Sequence, residues 1–390
     1  MFGRMMNNYY YGKSGKGDFR KDDLPQTRMQ LFWDTLRTRL SSLFRLNLIY
    51  MVAWIPTFIV ILLSVSNFWS MIQNDYMVEN NDYAAYVQVL QDAKMEVPMT
   101  EEQYNSRREF LRIRSDANYE AYTKRATEEG QEKILTQDEF IYVRSVGYNF
   151  QNELIKVLLW LIPCIAITGP LTAGLSYVTR NWARDEHAFI WSDLKDAAKE
   201  NWKHSLVLSI ITGAVPVVVY VGWITYSRMT DRSVLAVIPQ MLVAMVGVIW
   251  YISITYMHPL TVTYSLKLRD MLKNGFLLGI ARLPFSVGIR LLHCVPTLIA
   301  AGAVWFFGMD LLLAVVLLFA YYALIGFALS RFITASYTNA VFDRFINSRI
   351  EGAKVNQGLR EKDDDDDEED AEDAAEESGT DTDDKREETD

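Results

Sequence analysis

Residues 161–205 read LIPCIAITGPLTAGLSYVTRNWARDEHAFIWSDLKDAAKENWKHS, and their pattern decides the fold. From Leu161 to Val178 the stretch is apolar enough for a lipid interior and carries small residues at helical spacing. Gly169, Pro170, Ala173 and Gly174 read as helix-packing residues, because small side chains four apart let two helices approach closely in lipid. Arg180, Trp182 and Arg184 then mark a cytoplasmic interface. Phe189, Trp191, Leu194, Ala198 and Trp202 follow as an apolar stripe, with Asp193, Lys195, Asp196, Lys199, Glu200 and Lys203 opposite. The expectation is a transmembrane helix that leaves the bilayer and lays a second helix, 189–204, along its surface. That helix reads either as a connector or as a docking site for a cytoplasmic protein, built from Arg180, Arg184, Trp191, Leu194 and Trp202.

Outward from this stretch, several apolar runs approach the roughly 20 residues that a spanning helix needs. Half of the 390 residues are hydrophobic. The spacing predicts spans at 46–69, 154–178, 205–226, 234–257, 290–308 and 311–332. The fold class expected is all-α: a polytopic transmembrane bundle of about six spans. Pro56 is expected to kink the first span. Arg28–Arg45 reads as an interfacial helix, with Leu31, Phe32, Leu36, Leu40, Leu43 and Phe44 as its apolar stripe and Arg37, Arg39 and Arg45 on its wet face. GFLLGIARLPFSVGI at 275–289 is broken by Arg282, Pro284 and glycines, and reads as interfacial or half-inserted. Arg290 is expected to snorkel to the headgroups, and Arg331 to close the sixth span. An even number of spans with basic flanks predicts a multi-pass cell-membrane protein with both termini cytoplasmic.

Between the first two spans, residues 71–152 are different material, with 15 Asp/Glu and 9 Lys/Arg. Thr100–Gln103 and Thr136–Glu139 have the form of capping boxes, with Gly130 a stop between them. A helical extracytoplasmic insertion is expected, its last helix running on into the second span. At the far end, residues 363–390 hold 18 Asp/Glu against 2 Lys/Arg, a net of -16; the whole chain carries -10, which leaves +6 on everything else. Such a segment can bury nothing to offset its ordering entropy and is expected to be disordered. The chain divides accordingly into a disordered cytoplasmic arm (1–27), an interfacial helix and first span (28–70), the insertion (71–152), a membrane core with five further spans (153–350) and a disordered acidic cytoplasmic tail (351–390).

The chemistry on offer is thin. Gly12-Lys13-Ser14 lacks both the upstream glycine and the strand of a phosphate loop. His187, His204, His258 and His293 are scattered, and His293 beside Cys294 reads as a packed residue. The spans carry no Asp or Glu away from their ends, which weighs against a proton or cation pump. No nucleophile–base arrangement has a supporting context. The sequence therefore predicts no enzyme, no cofactor and no metal. Its basic residues follow membrane flanks as orientation signals do, so nucleic acid is not an expected partner; the lipid bilayer is.

Three pieces carry a resemblance: LFRLNLIYMVAWIP at 43–56, ITGPLTAGLSYVTRNWARDEHAFIWSDLKDAAKENWKHSL at 167–206, and HPLTVTYSLKLRDMLKNGFLLGIARLPFSVGIRLLHCVP at 258–296. Together they resemble the bacterial YesL family, membrane proteins that carry a domain of unknown function. The most specific part is Gly169-Pro170 with Ala173-Gly174, followed by Arg180-Asn181 and Arg184-Asp185-Glu186. In typical members of that family the first two spans lie close together, whereas here some 80 residues separate them. The resemblance implies an accessory role beside carbohydrate ABC transport systems and no catalytic residues. The function expected is that of a non-enzymatic accessory or scaffold, with ABC-transporter components or another cytoplasmic protein as partner. The alternatives are a permease or channel subunit and a membrane sensor using 71–152. Asp196-Ala197-Ala198 resembles the Glu-Ala-Ala loop by which ABC permeases meet their ATPase, without the glycine that should follow.

Overall fold

A computed structural model of the chain describes residues 24–128, 130, 134–230 and 233–360. Most of the arm expected at 1–27, the Gly12-Lys13-Ser14 motif, the turn residues Asp231 and Arg232, and the acidic segment 363–390 lie outside the described residues. The protein is an all-α polytopic helical bundle, and no strand occurs among the described residues. Six helical runs are long and apolar enough to cross a membrane, and no more than 22% of the most apolar window of any of them is buried inside the protein. Lipid must cover the remainder, because exposed apolar area on this scale is stable only in an apolar solvent.

Helix α1, Arg28–Asn80, is 53 residues long and opens on a capping box between Thr27 and Gln30. It does not divide near Arg45 into a surface helix and a span, as the sequence suggested. Leu31, Thr35, Leu43 and Leu46 are buried while Leu40 and Phe44 are exposed. Phe32 stacks on Phe332 at 5.1 Å. The inner part of the stripe is thus taken by the bundle, and the helix continues unbroken through Pro56.

The insertion is helical. The end of α1, α2 (Tyr83–Asp92), α3 (Glu101–Glu128) and the start of α4 (Gln137–Trp182) surround a small core of Val78, Tyr86, Leu90, Tyr104, Leu111 and Ile141. Burial pushes the Tyr86 and Tyr104 phenols up, and Tyr104 Oη donates to the Val78 and Asn81 carbonyls. Thr100–Gln103 and Thr136–Glu139 both form reciprocal caps. Gly130 sits in the left-handed region (φ 65) past the end of α3.

Helix α4 runs without a break from the insertion into the second span and contacts α1, α5 (Ile190–Glu200), α6 (Trp202–Thr230), α7 (Val237–Thr263) and α11 (Phe327–Phe345). The amphipathic helix expected at 189–204 ends instead at Glu200. Asn201 breaks it: its side-chain amide donates to the Ala197 carbonyl and competes with the helix ladder. Trp202 therefore opens the third span.

The segment 275–289 is not one half-inserted helix. α8 (Leu268–Ala281) stops at Arg282, and α9 (Leu283–Phe307) begins next to it with Pro284 in its first turn, where a missing N–H costs nothing. The fifth span thus starts before Arg290. α10 (Leu311–Tyr321) passes through a π-helical turn, Tyr322–Gly326, into α11, so the sixth helical run continues beyond Arg331 to Phe345.

Residues 347–360 fold back on the bundle. Arg28 bonds Asp343 at 2.6 Å and Asn356 Oδ1 at 2.8 Å. The Arg360 N–H donates to the Pro25 carbonyl. Both described ends of the chain therefore share one face of the bundle, opposite the insertion, and the part of the expected tail at 351–360 packs on that face.

Candidate functional site

The residues singled out in the sequence converge on the junction of α4, α5 and α6, but they split by role. A Cβ on Gly169 would lie 2.5 Å from the Ser205 carbonyl oxygen, and one on Gly174 would press into the Leu194 carbonyl. Gly169 therefore seats α6 and Gly174 seats α5. Ala173 is fully buried beside them. Thr168, Thr172, Ser176 and Thr179 return their hydroxyls to backbone carbonyls of α4 itself, so this small-residue face carries no unsatisfied donor. Gly174→Leu is expected to destabilise the protein by about 1–3 kcal/mol, because the new side chain meets backbone and cannot be relieved by a rotamer change. Thermal unfolding in detergent reads this directly, and a variant that melts with the wild type would show that α5 is not held there.

The expected docking stripe is divided. Leu194 is 1% exposed and belongs to the core with Ala197 and Ala198, whereas Trp191 (62%) and Trp202 (47%) stand out. The two tryptophans, Pro170, Lys195 and Lys199 border an open groove of about 550 Å³. Arg184 is occupied by the chain itself: it donates to Gln357 Oε1 at 2.5 Å and lies 3.7 Å from Glu186. The Arg180 carbonyl accepts from Asn339 Nδ2, and the Arg180 Nε is buried with no hydrogen-bond partner among the described residues. Beside them Tyr264 donates to Asn347 Oδ1 at 2.6 Å, and burial with the nearby Asp343 carboxylate pushes its phenol up to about 12. Arg184 thus faces the folded-back segment, and Arg180 is half-buried against Asn339 of α11.

A second arrangement escaped the sequence reading. Arg290 and Arg331, expected at the headgroups and at a helix end, face a common, partly open cavity of about 260 Å³. Arg290 lies about 10 Å along α9, and Arg331 is about 20 Å short of the end of α11. The Arg290 guanidinium rests 4.3 Å from the centre of the Tyr251 ring, and its Nε is buried with no partner among the described residues. Arg331 has the Tyr50 hydroxyl beside it, which in turn is 2.7 Å from Thr172 Oγ1. His293 also faces the cavity. Its Nε2 lies 3.0 Å from the Ser330 carbonyl and must donate, since a carbonyl only accepts. His258 is buried within electrostatic reach of both arginines, and its Nδ1 has no partner among the described residues.

One wall of the cavity is the π turn. Asn47, fully buried on α1, donates to the Tyr322 and Ala323 carbonyls and accepts from the Ala328 N–H. It thereby satisfies backbone groups that the π turn leaves outside the regular ladder. A fainter signal of this site was present. Arg290 and His293 are one turn apart on α9, and the small and polar residues after Arg331 keep helical continuity through Thr334 and Thr338. Among the described residues no three His, Cys, Asp or Glu side chains converge.

No curated protein and no solved structure matches the chain. Residues 154–223, which hold the second span, the α5 shelf and most of the third span, match the family model described as "Protein of unknown function, DUF624".

Proposed function

We infer that the protein is a non-enzymatic accessory or scaffold in the cell membrane, YesL-like in kind, serving a carbohydrate-transport system with both termini cytoplasmic. The observation that carries this reading is the α5 shelf. A short helix is fixed to the bundle through Gly174 and Leu194; Phe189 at its start is exposed, and Trp191, with Trp202 of α6, stands exposed at a groove with two lysines. Large aromatics presented on a rigid support are the residues that dominate protein interfaces. The basic flanks of the spans support the cytoplasmic side for this face. The permease alternative is weakened by the same geometry: Ala197 and Ala198 are buried, so the loop-like Asp196-Ala197-Ala198 is not free to meet an ATPase.

The test is capture of partners by the intact, tagged protein from its native membranes. Trp191→Ala with Trp202→Ala is expected to lower recovery of the transporter components at least tenfold, on the scale of a lost hot spot of about 2 kcal/mol. The same partners recovered in equal amount by every variant would sink the docking role.

A second reading, sensing through the insertion, is favoured by one feature. A groove of about 770 Å³ lies between α3, α4 and the end of α6, bordered by Arg144, Gln151 and Arg228. A soluble ligand seated there would touch the insertion and a span together.

A further inference from the structure

We propose that the cavity between α1, α7, α9 and α11 is a binding site for a phosphate group, held by Arg290 and Arg331. Both side chains are guanidinium ions at any physiological pH. Among the described residues no carboxylate lines the cavity, and none lies within an ion-pair distance of either arginine. Their immediate neighbours are neutral: the Tyr251 ring, the Tyr50 hydroxyl, and the Thr334 and Ser330 groups. Two like charges at one cavity of a membrane-spanning bundle repel each other, and charges within such bundles persist where a partner or a substrate offsets them. The missing partner is an anion.

The geometry points to an oxyanion of phosphate type. A planar guanidinium offers paired N–H donors that match phosphate oxygens, and both Arg290 and Arg331 line the cavity. The volume suits a headgroup-sized ligand and not a macromolecule. Trp54, stacked on Phe327 at 4.7 Å, gives the cavity one apolar wall where the organic part of a ligand can rest. Asn47 fixes the π turn that forms another wall, so the cavity is supported by backbone and not by mobile side chains alone. The phosphate could arrive as the headgroup of an anionic lipid or as a free ion. This site is separate from the α5 shelf and does not depend on the docking reading.

The experiment uses the full chain in nanodiscs of phosphatidylcholine. One arm adds phosphatidylglycerol to the bilayer, and the other adds inorganic phosphate to the buffer at constant ionic strength. Native mass spectrometry counts retained lipid, and thermal unfolding reads stabilisation. The wild type is expected to retain phosphatidylglycerol or to melt higher in phosphate than in chloride. Arg290→Gln and Arg331→Gln should each weaken that response at least tenfold in apparent affinity, and the double variant should lose it. Arg282→Gln, whose guanidinium packs on Phe285 and Phe345 outside the cavity, should keep it. A response to phosphatidylglycerol alone assigns a lipid headgroup; a response to phosphate alone assigns a soluble ion. A wild type that retains no phosphatidylglycerol and melts identically in phosphate and chloride overturns the proposal, as does a double variant that responds like the wild type. The negative wild-type result overturns the proposal even where a variant fails to fold.

Discussion

Asn47→Leu is expected to lower the stability of the purified protein by about 3–6 kcal/mol, since three buried backbone groups lose their partners at about 1–3 kcal/mol each and some relax. Leucine has the branched shape of asparagine and a larger volume, so no cavity is left; the loss is one of hydrogen bonding, to which any overpacking adds. The asparagine side chain is 0% exposed, with Nδ2 at 2.9 Å and 2.7 Å from the Tyr322 and Ala323 carbonyls and Oδ1 at 2.9 Å from the Ala328 N–H. In a lipid-solvated bundle no water is at hand to replace it. Thermal unfolding in a mild detergent measures the loss. Asn47→Asp keeps the acceptor for Ala328, but it discards both donors and sets a carboxylate against two carbonyls, so it should also be strongly destabilised. A leucine variant as stable as the wild type would mean that the π turn needs no external partner.

The architecture was largely legible because membrane spans announce themselves by length and apolar content alone, and the capping boxes at Thr100 and Thr136 are local devices that depend on no distant contact. The misreadings share one cause. Leu40 and Phe44 belong to the same helical stripe as Leu31 and Leu43, and nothing in the periodicity says that Phe332 of the last helix will claim one edge and leave the other to lipid. The stripe from Phe189 to Trp202 failed for the same reason: Gly174, a residue of the preceding helix, selects Leu194 as the buried member, and Asn201 ends the helix before Trp202. The two arginines of the cavity were read by rules for single helices, in which a cation near a span end snorkels. Arg290 lies close to such an end, yet it points inward because Tyr251 of α7 offers it a ring face. Arg331 looked like the end of a span because the run after it is less apolar, and that run is less apolar because it is packed against α1, α4 and α7 and not against lipid. Which face of a span meets protein is a tertiary fact, and the cavity exists only on those faces.

Arg107→Leu is the second large effect, and it falls on the insertion. Asp75 near the end of α1 is 3% exposed. It receives Arg107 Nε at 3.0 Å and Nη2 at 2.8 Å from α3, and Asn149 Nδ2 at 2.6 Å from α4. One carboxylate thus ties three helices together. Removing the arginine leaves a buried charge with a single neutral donor, which should destabilise the insertion by about 3–5 kcal/mol. The double variant Asp75→Leu, Arg107→Leu removes the charge together with its partner and should recover most of the loss, because a buried ion pair is often no better than an apolar pair of similar size. Hydrogen exchange along 75–128 separates these outcomes: amides of α2 and α3 should exchange faster in the single variant and near the wild-type rate in the double, while those of the membrane core from 160 onward stay unchanged. Faster exchange through the core in the single variant would show instead that the insertion and the bundle unfold as one unit. Equal protection in the single variant and the wild type would show that Asn149 alone satisfies Asp75, and that the small apolar core around Tyr86 and Tyr104 holds the three helices without the ion pair.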